Sequence, residues 1–183
     1  MEIILLRHGK PEFELKGSLK ASKFKQLTNA YAQSGIQDFP PETLKERFNT
    51  YYVVCSDLER SIQSAKRLGF CKIHLLDDLY SETEIPYFDR SFLKLPVMGW
   101  LIIFRIFWLF GFNKNGESIT KAKNRAKQAA NKLIELANEN NKVILVGHGL
   151  MNRLIAKQLR INNWTGPVSP GKKHWEFGRY NYL

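Results

Sequence analysis

Cysteine is scarce in this chain. There are two in 183 residues, Cys55 and Cys71, with no CxxC, which excludes a disulfide scaffold and a four-cysteine zinc module. Negative charge is also short: 17 Asp and Glu stand against 28 Lys and Arg, a net charge of +11 that favours anionic partners. No apolar run reaches the roughly 20 residues that a bilayer-spanning helix needs. The longest, "VMGWLIIFRIFWLFGF" at 97–112, has sixteen residues and carries Arg105 near its centre. The N-terminus lacks a basic region followed by a long apolar core and a small-residue cleavage site, so a cytoplasmic protein with reduced thiols is expected. Zinc-finger, basic-zipper and RNP-type aromatic signatures are missing, and no nucleic-acid partner is expected. Repeats and low-complexity segments are missing too.

What is present is ordinary globular material, 44% hydrophobic and 25% charged, in a length that fits one domain over 1–183. Apolar runs at Glu2–Leu6, Tyr51–Cys55, Ile73–Leu76 and Lys142–Val146 read as core strands bounded by turn residues. Cys55 ends one of them and is expected to be a buried thiol. Helical periodicity follows at Leu58–Leu68, Glu117–Asn138 and Gly149–Leu159. The aromatic alternation Trp175–Tyr180 suggests a late strand. Strands alternating with helices predict an α/β fold, a three-layer α/β/α sandwich around a mostly parallel sheet. Segment 97–112 reads first as a buried or lid helix, within an apolar insertion of about 90–115. A membrane-surface contact or a dimer contact is the alternative, because a helix with so little polar face needs cover on all sides.

Three strand ends carry groups that a buried strand end does not require. "LLRHGKPE" (5–12) puts Arg7 and His8 at the carboxyl end of the first strand, where open α/β sheets bind ligands. "VVCSDLERSIQSAKRLG" (53–69) puts Arg60 in a helix first turn, a position that prefers acids. Ser56 there is expected to N-cap the helix in a capping box with Glu59. "VILVGHGLMNRLIA" (143–156) runs a strand through Gly147-His148-Gly149 into a helix. It fails as a dinucleotide fingerprint but suits an anion, because a helix N-terminus offers free N–H groups and a partial positive charge. If these strands are neighbours, two arginines and two histidines converge. Arginine forks match phosphate oxygens, and a neutral imidazole is a competent nucleophile.

These segments resemble the histidine phosphatase superfamily, the phosphoglycerate-mutase-like proteins. "LLRHG" is similar to its N-terminal signature, "SDLERSIQSA" to its arginine segment, and "VILVGHG" to its second-histidine strand, in the expected order from residue 3 to about 156. The resemblance implies a phosphoglycerate-mutase-like fold with the apolar insertion over the pocket. It makes His8 the nucleophile that is transiently phosphorylated. Arg7, Arg60 and His148 would bind phosphoryl oxygens, with Gly149 at the phosphate. Neither a metal nor another cofactor is implied, and His74 and His174 are read as structural.

The family usually draws a proton donor from an acid between the arginine helix and the second histidine. "LYSETEIPYFD" (79–89) offers Glu82, Glu84 and Asp89; Glu82 is the choice, and Glu84 would project to the same side of an extended segment. Phosphoglycerate mutases tend to have asparagine six residues past the first histidine, where this chain has Glu14, which argues for a hydrolase. In "NGES" (115–118), Ser118 is expected to cap the long helix. Arg105 would be the insertion's one contact for an anion. The resulting expectation is a metal-independent phosphatase acting on a small phosphorylated metabolite. The competing one is a non-catalytic phosphate-binding or membrane-docking module that uses 97–112.

Overall fold

The computed structural model describes residues 1–45, 47–89 and 91–182; position 90, where the expected insertion begins, lies outside them. Five strands form the central sheet in the order β4-β3-β6-β1-β7. They are β1 (Glu2–Arg7), β3 (Tyr52–Cys55), β4 (Leu75–Leu76), β6 (Lys142–Gly147) and β7 (Phe177–Asn181). β1, β3, β4 and β6 run parallel, and β7 closes the edge antiparallel to β1. The α/β expectation is met, with strand ends displaced by only a residue or two.

Alternation along the strands builds the layers. Ile3 and Leu5 face one core with Val143 and Leu145; Ile4 and Leu6 face the other with Ile144 and Val146. All eight are fully buried, each worth roughly 1.5–3 kcal/mol relative to exposure. The first core is covered by α4 (Ile119–Asn140) and α5 (Gly149–Ile161), the second by α2 (Glu59–Arg67). Small residues of α4, Ala122, Ala126, Ala129 and Ala130, let it pack closely. Ser118 caps α4 as expected, its hydroxyl accepting from Lys121 N–H at 3.1 Å. Asn141, at φ 66°, ends it in the left-handed region. Cys55 is buried as expected, and burial pushes its thiol up to about 12.

A third core lies beside the sheet. The ribbon of β2 (Ser18–Lys20) and β5 (Lys94–Pro96) packs with α1 (Phe24–Gln33) and α3 (Val97–Leu109) around Phe24, Trp100 and Phe104. The apolar run is thus a helix, but not one covered on all sides. α1 and the ribbon reach one face only, and Met98, Ile102, Ile106 and Leu109 remain exposed on the other.

The capping box is corrected. α2 begins at Glu59 with Leu58 as its N-cap and no side-chain cap. Ser56 lies short of the helix, with its hydroxyl committed elsewhere, while Glu59 accepts from Gln63.

Candidate active site

Parallel register brings the three strand ends together. Arg7 of β1 lies opposite Gly147 of β6, and Cys55 of β3 opposite Val146. Residues immediately beyond therefore share one corner at the carboxyl edge of the sheet. His8 N–H donates to Gly147 O at 3.0 Å, and the His8 and His148 rings lie 5.0 Å apart. Glycine at position 9 is required by space: a Cβ there would come within 2.5 Å of the Trp175 ring and 2.7 Å of Asp38 Oδ1.

His8 is 2% exposed. Its Nδ1 donates to Gly9 O at 2.6 Å, which leaves Nε2 with a free lone pair. Burial, then the positive charge of Arg60, holds its pKa well below the ordinary imidazole value of 6.5. His148 is fully buried and lowered in the same way, by burial first and then by His8 and Arg60. Its Nε2 lies 2.6 Å from the Ser56 hydroxyl, and its Nδ1 is buried without a partner.

The arginines are held by their outer nitrogens. Arg7 donates through one terminal nitrogen to Lys172 O, and its guanidinium lies against Gly149, 3.4 Å from where a Cβ would stand. Arg60, 2% exposed, donates to Tyr31 O at 3.2 Å and Ala32 O at 3.3 Å and lies over the Tyr31 ring. Burial lowers the pKa of Arg60. The Nε of each arginine is buried and unpartnered. Three of the molecule's orphaned buried atoms thus come from three different strand ends around one imidazole. Such atoms are rare in folded proteins and costly.

Glu82 reaches this corner from the loop after β4. Its carboxylate accepts from Leu150 N–H at 3.2 Å and Met151 N–H at 3.1 Å, as well as from Thr83 N–H at 3.0 Å. The Glu82 carboxyl group thus takes two of the free amides at the α5 N-terminus. Glu82 and Glu84 both line a cleft of about 810 Å³, with Tyr31, Arg60, Lys121 and Arg125. Arg125 sets the approach of this loop. It grips Glu117 bidentately at 2.9 and 2.7 Å and donates to Leu79 O and Ser81 O at 3.1 and 2.7 Å.

Two residues were missed in the sequence. Arg125 belongs to no motif that the sequence singles out. His174 was taken as structural, yet its ring lies 5.4 Å from that of His8, and its Nδ1 is 3.1 Å from His8 O. The basic run Gly171-Lys172-Lys173-His174 before the last strand was the available signal. His74 is structural as expected: its Nδ1 accepts from Val53 N–H and its ring stacks on Tyr52. Asp89 lies away, bonded to Asn115 and Lys114. Arg105 donates to Thr83 Oγ1 at 3.1 Å and lies over the Trp108 ring. Among the described residues, none of α3 lines the cleft.

Comparison with known proteins places this architecture among the phosphoglycerate-mutase-like α/β/α folds. The model of the histidine phosphatase superfamily (branch 1) matches residues 100–166, the part that carries His148. An open reading frame product of Mycobacterium tuberculosis shares the fold at 16% identity and TM-score 0.63, over 100% of this chain and 91% of that one. A mycobacterial glucosyl-3-phosphoglycerate phosphatase complexed with VO3 shares it at 18% identity and TM-score 0.60, over 97% and 91%. The alpha-ribazole phosphatase of Shigella flexneri does so at 19% and 0.51, over 87% and 79%. No curated protein sequence matches the chain. The family model over 100–166 and the shared fold agree with the resemblance to the histidine phosphatase superfamily.

Proposed function

We propose that the protein is a phosphatase that hydrolyses a phosphomonoester through a phosphohistidine on His8, with a small phosphorylated metabolite as substrate. The observation that carries this reading is the ring of buried unpartnered nitrogens, Arg7 Nε, Arg60 Nε and His148 Nδ1, around an imidazole whose Nδ1 is committed to Gly9 O.

His8 Nε2 attacks phosphorus in line with the ester oxygen; the N–P bond forms as the P–O bond breaks. Charge on the three equatorial oxygens is met by the two guanidinium groups and His148, already in place and shielded from water, which is where most of the barrier lowering arises. Glu82, at the edge of the cleft, enters this step as the carboxylic acid, gives its proton to the leaving oxygen and is left as the carboxylate. In the second half, water attacks the phosphohistidine, Glu82 takes its proton, and inorganic phosphate leaves with His8 restored. Fixed cations carry out the charge neutralisation in this scheme, so no metal is required.

The test is phosphate release from an aryl phosphate in the presence of a chelator. Turnover is expected in the wild type, lost in His8→Ala, and reduced about 10²–10³-fold in His148→Ala. Retained turnover in His8→Ala would overturn the reading; a phosphate-binding module would show no turnover in any form.

A further inference from the structure

The third core presents a surface that the catalytic reading does not use. On α3, Val97, Trp100, Phe104 and Trp108 face inward. The opposite face carries Met98, Ile102, Ile106 and Leu109, which are 56%, 56%, 49% and 59% exposed. The spacing of four, four and three residues makes these one stripe. The only charged side chain of α3, Arg105, is turned inward to Thr83 and Trp108. Phe92 and Leu93 before the helix and Phe110 after it are exposed as well. A groove of about 420 Å³ runs along this face between Ile85 and α3.

Charge on this module is predominantly positive. Segments 15–37 and 91–114 carry seven cations, of which Lys16 pairs with Glu14, Lys114 pairs with Asp89 and Arg105 is turned inward, leaving Lys20, Lys23, Lys25 and Lys94 without an ion pair among the described residues. Lys20 and Lys94 stand directly opposite each other in the β2–β5 register, and both are exposed. Like charges so placed destabilise a ribbon, and an anionic surface would relieve them.

From this geometry we infer that the α1, α3 and β2–β5 module docks the protein on an anionic lipid bilayer, with the α3 stripe seated among the headgroups and the lysines on lipid phosphates. A spanning segment is not involved: no helix among the described residues is long and apolar enough to cross a membrane. An apolar face with flanking lysines is the pattern of an interfacial element. A second copy is the poorer occupant, since apposing two stripes would set Lys20, Lys23, Lys25 and Lys94 of each copy against those of the other. Ile85 lines both the groove and the cleft, so docking sets the cleft beside the lipid.

Vesicle flotation of the full chain tests this independently of catalysis. The probes are phosphatidylcholine vesicles with and without phosphatidylglycerol. The proteins are wild type, Ile102→Asp/Ile106→Asp and Lys20→Ala/Lys94→Ala, with circular dichroism and thermal melting to establish that each is folded. Wild type should float with the anionic vesicles and much less with neutral ones. The isoleucine variant should lose at least about tenfold in partitioning, and the lysine variant about fivefold per lysine, fading with added salt. Failure of wild type to float, flotation unchanged in the folded isoleucine variant, or a wild-type dimer in sedimentation equilibrium that this variant dissolves would overturn the proposal.

Discussion

The hydroxyl of Ser56 lies 2.6 Å from Nε2 of His148, across 92 residues of sequence. Leu58 N–H donates to the same oxygen at 3.4 Å, and for His148 to donate from Nδ1 to a phosphoryl oxygen, as proposed, its Nε2 must accept the Ser56 hydroxyl proton. A serine beside a strand end thus sets the tautomer of the second histidine and with it the donor offered to a phosphoryl oxygen. Ser56→Ala should cost about 1–3 kcal/mol of stability, because Nε2 is left buried without a donor. It should lower kcat about tenfold or more with little change in KM, since the donor acts on charge that develops in transfer. Chemical denaturation and steady-state kinetics check both; unchanged kcat would remove the serine from this role.

Stability should depend on pH through the buried histidines. His8 and His148 are held neutral in the folded protein, with pKa values well below 6.5. Below pH 6.5 the unfolded chain takes up protons that the folded one refuses, so stability present above that pH is lost as pH falls. The slope should reach up to about 3 kcal/mol per pH unit if both sites contribute. Replacing His148 by Asn should flatten it by about half. For the same reason the acid limb of kcat/KM should lie below pH 6.5, and a limb at or above that value would contradict a neutral buried nucleophile.

Arg125→Met should act at a distance on Glu82. The arginine ties Glu117 to the carbonyls of Leu79 and Ser81, so its loss leaves a partly buried carboxylate unpaired and frees the loop that delivers Glu82. A destabilisation of about 2–4 kcal/mol is expected. Turnover should fall most for substrates with poor leaving groups, which depend on the proton donor. Equal losses for good and poor leaving groups would place the effect elsewhere.

Gly9→Ala should be disproportionately damaging for one methyl group. It would drive Cβ into the Trp175 ring and Asp38, at a cost of about 1–3 kcal/mol, and shift the carbonyl that fixes the His8 tautomer. Thermal melting and turnover together read this; wild-type values for both would show that the loop accommodates the methyl.

The sheet and its corner were legible because short strands buried on both faces and parallel register leave few arrangements. Once β1, β3 and β6 are neighbours, Arg7, His8, Arg60 and His148 have to converge. Glu82 was legible by order but not by partner. That it occupies the α5 amides depends on a loop path no periodicity encodes. His174 was hidden for a related reason: it comes to His8 through the chain doubling back before β7, where Trp175 N–H donates to Arg7 O at 3.1 Å. Ser56 satisfied a local capping pattern, but a buried imidazole from 92 residues away took its hydroxyl. In α3 the pattern showed an apolar helix and could not show which face would be covered.

The central claim is covalent, and the most direct measurement looks for the covalent species. Rapid denaturing quench of the protein with an aryl phosphate, followed by intact and peptide mass spectrometry, should find one phosphoryl group on His8, labile to acid and stable to alkali. It should be absent in His8→Ala and more persistent in Glu82→Gln, where the hydrolytic water lacks its base. Steady turnover with no phosphorylated His8 at any quench time, or with the group on another residue, would contradict the account.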